Sequence, residues 1–210
     1  MKSFSTLQTC APGCFKPRQA AFNSGLAIAL WLVAGLWNPQ PVHAENFRLT
    51  SRGVEIPEAG YVTNTILSSA RHELMFVPPH GWRQSFDTNA LLLVWNSGDF
   101  ATEIRMRIAP AWPPPQLKPE DLREKIRRDF PAARLKEEFA CYTCGGHGLA
   151  FDLDESGRND LTTRMRVAFV PFGGGTVEFT LITPAQDFAR NQLLLGHLLN
   201  SFRASPRTGQ

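Results

Sequence analysis

Cys141-Tyr142-Thr143-Cys144 is the stretch whose residue types and spacing point most directly to chemistry. The spacing is C-x-x-C, and His147 follows three residues after the second cysteine. Three kinds of chemistry fit. A local disulfide across a turn suits an oxidising compartment, although so small a loop gains little entropic stabilisation. Thiol–disulfide exchange needs a lowered thiol pKa, which such pairs usually obtain from a helix N-terminus. Here Gly145-Gly146 and a strand pattern follow instead. A metal would find Cys141, Cys144 and His147, one ligand short of a closed zinc site. The expected state is the Cys141–Cys144 disulfide, with redox and metal chemistry as alternatives. No other cofactor is expected.

Other stretches imitate sites. Asp152 to Asp160 matches the opening of a calcium loop at its first, third, fifth and sixth positions. The twelfth position is Thr163, where that loop needs a bidentate glutamate. A polar hairpin turn is the reading here. Gly173-Gly174-Gly175 lacks the Lys-Ser/Thr of a phosphate loop and reads as a turn. His72, His80, His147 and His197 are scattered, and neither G-x-S-x-G nor H-E-x-x-H occurs. The expectation is a non-catalytic protein. Trp82, Trp95 and Trp112 are candidate contact residues for a partner, provided they are exposed.

Compartment comes from the first 44 residues. Lys2, Lys16 and Arg18 precede an apolar run from Leu26 to Trp37, and Val42-His43-Ala44 supplies small residues for cleavage. That is the pattern of a secretory signal peptide, cleaved after Ala44. The run is short for a membrane span, which needs ~20 apolar residues. The expected location is periplasmic or secreted, with membrane attachment only through an uncleaved leader. Residues 1–44 hold three of the 22 Lys and Arg and none of the 19 Asp and Glu. The chain from Glu45 is therefore formally neutral, which argues against a nucleic-acid partner. A protein of the cell envelope or a small ligand is the expected partner.

The elements that must position these residues follow from periodicity. Residues 45–204 read as a single α+β domain and 205–210 as a loose tail. Extended segments are expected at FRLT and GVEI, His72–Pro78 and Ala90–Trp95, with Gly60–Arg71 ambiguous and able to hold a short helix. In Ala101–Ala109, Thr102, Ile104, Met106 and Ile108 alternate with polar neighbours, the mark of a half-buried strand. A helix is expected over Pro119–Phe130, with Pro119 at its first position and charges arranged to suit its dipole. Four strands are expected at about Arg134–Tyr142, Leu149–Asp154, Leu161–Pro171 and Thr176–Ile182, joined by short turns and so antiparallel. Thr183-Pro184-Ala185-Gln186 reads as the capping box of a last helix carrying Phe188, Leu195, Leu199 and Phe202 on one face. The fold class is α+β, an antiparallel sheet with helices packed on it.

A strand ending in Phe76-Val77-Pro78, followed by Gly81-Trp82, resembles the opening of the PsbP-like and DcrB-like group. The ending is similar too: a glycine turn, the strand TVEFTLIT, then a helix closing on Asn200-Ser201-Phe202. The resemblance spans about Phe47 to Arg203, mostly as element order. It implies a compact sheet with helices on both faces. It also implies a mostly non-enzymatic binding or assembly role, as in thylakoid-lumen and periplasmic members. No functional residue of that group carries over, and the Cys141–Cys144 pair is not one of its hallmarks.

Overall fold

Alternation of apolar and polar residues builds nearly the whole domain. The computed structural model describes residues 47–56, 60–109, 118–156 and 162–207. The leader with its cleavage site, Trp112 with most of the proline-rich connection, and the tip of the 152–160 turn lie outside them.

Eleven strands and two helices are described. They run β1 (Arg48–Ile56), β2 (Gly60–Ser68), β3 (His72–Phe76), β4 (Arg83–Asp87), β5 (Leu92–Asn96) and β6 (Glu103–Ala109). Helix α1 (Pro119–Asp129) precedes β7 (Ala133–Thr143), β8 (Gly146–Ser156), β9 (Thr162–Phe172) and β10 (Gly175–Pro184). A 3-10 turn at Ala185–Asp187 leads into α2 (Phe188–Ser201), and β11 (Arg203–Pro206) ends the chain. The strands form a four-stranded sheet, β1-β2-β3-β11, and a seven-stranded sheet, β4-β5-β6-β10-β9-β8-β7. Every paired neighbour is antiparallel.

Strand alternation sorts the core into two clusters. On β9, Ala168, Val170 and Phe172 join one cluster, while Met165, Val167 and Phe169 join the other. The first cluster gathers Leu74 and Phe76 of the small sheet, Trp95, Met106 and Phe179 of the large one, and Leu195 and Leu199 of α2. Phe76 meets Trp95 edge-on at 5.5 Å, and Phe179 meets Phe202 at 5.3 Å. Such pairs add about 0.5–1.5 kcal/mol each beyond area burial. In the second cluster Leu122 and Ile126, one turn apart on α1, meet Phe151 and Leu153 of β8.

Several expectations change. Gly60–Ser68 is strand β2, not a helix, because its Thr, Ile and Leu pair along β1 and place Leu67 in the core. Arg83–Asp87 adds an edge strand whose exposed face hid its pattern. The residues expected as a tail begin inside β11, which pairs Arg203–Pro206 with Met75–His72. Thr183 belongs to β10 and opens no helix by capping; its hydroxyl is drawn into a buried tertiary network. Trp95 is buried and donates its indole N–H to Gln84 Oε1 at 2.9 Å, so it offers no contact surface.

Candidate functional site

The cysteine pair does not assemble the site its spacing suggested. Both thiols are free; Cys141 is buried and Cys144 exposed. Strand β7 stays extended through Thr143. Three strand steps of about 3.3 Å each carry the second Cα roughly 10 Å from the first. A disulfide tolerates no more than about 7 Å, so bridging would require the end of β7 to unravel. Burial also pushes the Cys141 thiol pKa upward, opposite to what an exchange nucleophile needs. Cys141 pairs with Gly148 and Tyr142 pairs with His147. By alternation Cys141 and His147 therefore face opposite sides of the sheet. Among the described residues, no group of three His, Cys, Asp or Glu converges to hold a metal.

Asp152 and Asp154 of the calcium-like stretch are likewise engaged. Arg166 grips Asp152 through two bonds of 2.7 and 2.8 Å, and Arg164 donates to Asp154 at 2.7 Å. The Arg166 guanidinium also lies over Phe139 at 4.6 Å and Phe188 at 5.3 Å. These are cross-strand braces between β8 and β9. Arg164 holds the Asp154 carboxyl below its usual range.

A second charged group fastens the end of α1 to the sheet. Arg107 of β6 grips Glu178 of β10 through bonds of 2.9 and 3.0 Å, and Lys125 reaches the same carboxylate at 3.1 Å. Lys125 also pairs with Asp129, which lies 3.7 Å from Arg107. Burial raises the Asp129 carboxyl pKa, but the Lys125 bond and the charges of Lys125, Arg107 and Arg128 outweigh it and leave a net lowering. With its acids and bases paired, this group reads as an anchor for the helix.

A different cleft has the makings of a binding site. The turn joining β5 to β6 faces the start of α2 across a cavity of about 380 Å³. Beneath it lies a buried triangle, of which Thr102 and Asn191 line the cleft. Asn191 Nδ2 donates to Thr102 Oγ1 at 2.9 Å and to Thr183 Oγ1 at 2.8 Å, and the two hydroxyls lie 2.9 Å apart. The three residues are almost wholly buried, so each bond lies in a low-dielectric setting where its loss is costly. Trp82 forms one wall, half-buried against the core, and Leu194 another. The rim carries Asp99, Asp187 and Arg190.

The turn itself is stiff. Asp99 Oδ1 accepts from Ser97 Oγ at 2.6 Å and from the Ala101 N–H at 3.1 Å. Those bonds, the Ser97 hydroxyl first, hold the Asp99 carboxyl below its usual range. Ser97 Oγ also receives the Thr102 N–H at 3.0 Å. Phe100 then adopts φ 58°, a left-handed backbone that a non-glycine residue adopts only at a cost of about 1–3 kcal/mol. Its ring is largely exposed, and the Arg83 guanidinium stacks over it at 4.9 Å. Strain of this kind gathers where a loop is held for a purpose. Of the two candidate tryptophans among the described residues, Trp82 lines this site and Trp95 does not.

No family model matches the chain, and no curated protein matches it. Among solved structures the chain is similar to cyanobacterial PsbP from Synechocystis sp. PCC 6803. Identity is 15%, over 66% of this chain and 95% of that one, at a TM-score of 0.47. It is similar to the Ran-binding protein Mog1p of Saccharomyces cerevisiae at 12% identity, over 74% and 96% of the two chains, TM-score 0.46. LpqN of Mycobacterium tuberculosis, involved in cell envelope biogenesis, is similar at 10% identity, over 76% and 92%, TM-score 0.37. The likeness is one of fold. A PsbP structure is thus among the similar ones, and none of the three carries a site residue to this chain.

Proposed function

We propose that the protein is an exported, non-catalytic binding protein of the cell envelope, cleaved after Ala44, that holds its ligand in the cleft between the β5–β6 turn and α2. The cleft carries this reading. It is large enough for a small ligand, with Trp82 and Leu194 as apolar walls in an otherwise polar lining. The Asn191 Nδ2 group and the Thr102 and Thr183 hydroxyls are already bonded to one another, so the shape persists without a ligand, which lowers the cost of binding. The basic, apolar and small-residue sequence of the leader supports export. The same reading takes the fold as a PsbP/DcrB-like sandwich with helices on both faces of the large sheet. Thiol exchange is not favoured, since the Cys141 thiol is buried and its pKa raised.

Native mass spectrometry of the full-length gene product, recovered from a bacterial periplasm, tests both halves. The expected species begins at Glu45 and carries a non-covalent adduct that Arg190→Ala loses. A species that retains its leader overturns export. A processed protein that carries no adduct and binds nothing from an envelope extract overturns the binding reading.

A further inference from the structure

The chemistry of the cleft narrows its ligand. Resting on the binding reading above, we infer that the cleft takes a neutral polyhydroxyl ligand, a saccharide, stacked on Trp82 and hydrogen-bonded at Arg190, Asp187 and Asn191.

Charge pairing excludes the simpler ligands. Asp99 and Asp187 line the cleft with Arg190, and Asp99 Oδ1 is already engaged by Ser97 Oγ and the Ala101 N–H. Arg190 meets Asp187, which leaves the lining one formal negative charge, on a carboxylate held inside its own turn. Arg190 already lies 3.5 Å from Asp187. An anion entering toward Arg190 meets that carboxylate, and a cation entering toward Asp187 meets that guanidinium. A metal ion lacks its third ligand among the described residues. A purely apolar ligand would strip water from the Arg190 and Asp187 heads and return no hydrogen bond.

A sugar hydroxyl suits the same set. Each hydroxyl donates once and accepts twice, so neighbouring hydroxyls satisfy a donor and an acceptor side by side. Arg190 supplies donors and Asp187 acceptors, one helical turn apart. Asn191 adds an acceptor. Its Nδ2 is committed to Thr102 and Thr183, and every fully buried side-chain nitrogen or oxygen has a partner. Asn191 lines the cleft, and its Oδ1 is an acceptor apart from the two bonds that Nδ2 makes. The half-buried indole of Trp82 is rigid and flat, a surface for the C–H face of a pyranose. A neutral ligand recognised by paired donors and acceptors also gains little from long-range charge and therefore depends on preorganisation. The internal bonds of the turn and of the triangle supply it.

The test follows the indole Nε1–H signals of the chain from Glu45 by NMR, with Trp82→Phe assigning the first of them. The probes are glucose, N-acetylglucosamine and maltose, with phosphate, glutamate and putrescine as charged controls. The expected result is a saturable shift of the Trp82 signal with at least one sugar. The Trp95 signal, bonded to Gln84, stays in place. Arg190→Ala removes a largely exposed side chain and leaves the fold intact. It should weaken the sugar about tenfold, the loss of one hydrogen bond to a charged group. A sugar response that persists unchanged in Arg190→Ala places the sugar elsewhere and overturns the inference. A Trp82 shift with a charged probe and none with sugars overturns the ligand class and leaves the cleft a binding site. No shift with any probe also overturns the class; the binding reading then rests on the native adduct alone.

Discussion

Replacing Asn191 with alanine removes the centre of the triangle beneath the cleft. Two hydrogen bonds disappear, of 2.9 and 2.8 Å, and the hydroxyls of Thr102 and Thr183 are left with each other. At about 1 kcal/mol net per bond, the loss is about 2 kcal/mol. A domain of this size loses about 2–4 °C of Tm per kcal/mol, so the midpoint should fall by roughly 4–8 °C. The network reasoning makes a sharper claim in a double-mutant cycle with Thr183→Val. Once Asn191 is gone, Thr183 has lost one of its two partners, so the second substitution should cost less than it does alone. Thermal and urea unfolding of the four proteins give the coupling, expected at about 0.5–3 kcal/mol for groups in one network. Strict additivity, or a fall of less than 2 °C for Asn191→Ala, would refute the claim that this triangle supports the cleft.

Native alkylation followed by intact mass should modify Cys144 quickly and Cys141 only on unfolding; two thiols protected until reductant is added would instead reveal a disulfide. Asp154 and Asp129 both have folded-state pKa values below the unfolded value of about 3.9. Their stabilisation is therefore complete above that value and is lost as pH falls through the lowered folded values. Stability should decline below about pH 4, and Arg164→Met should make that decline shallower; an unchanged acid profile contradicts the Arg164–Asp154 brace. Gly148→Ala should destabilise by about 1–3 kcal/mol or more in urea, because an added Cβ would fall on the Phe169 carbonyl oxygen of β9 and press on Cys141 Sγ; a neutral effect would contradict that close approach. Leu122→Ala should cost about 2–5 kcal/mol, since α1 buries this side chain among Phe151 and Leu153.

Elements with a strong period were legible in the sequence. Thr102, Ile104, Met106 and Ile108 are all buried on one face of β6 or at its start, as their alternation implied. Pro119, Glu120, Asp121, Arg127 and Arg128 mark the bounds of α1 within one residue. The Thr183-Pro184 signal misled because local capping competed with a tertiary network and lost. Arg203–Pro206 carries no apolar pattern, and its strand exists through backbone pairing to β3. The C-x-x-C spacing does not carry the pairing register with Gly148, which turns Cys141 inward and leaves Cys144 on the turn. Of the cleft, only Trp82 stood out. Asp99, Arg190 and Asn191 are ordinary residues in a turn and on a helix. They meet only because β6 lies beside β10 and brings Thr102 to Thr183.

Amide hydrogen exchange of the chain from Glu45, with and without the small-molecule fraction of an envelope extract, tests the cleft most directly. The account expects slower exchange at Ser97–Thr102 and at the first turns of α2, with the β7–β8 turn around Gly145 unchanged. Protection centred on Arg105, Arg107 and the exposed face of β4 to β6, or no protection anywhere, would contradict it.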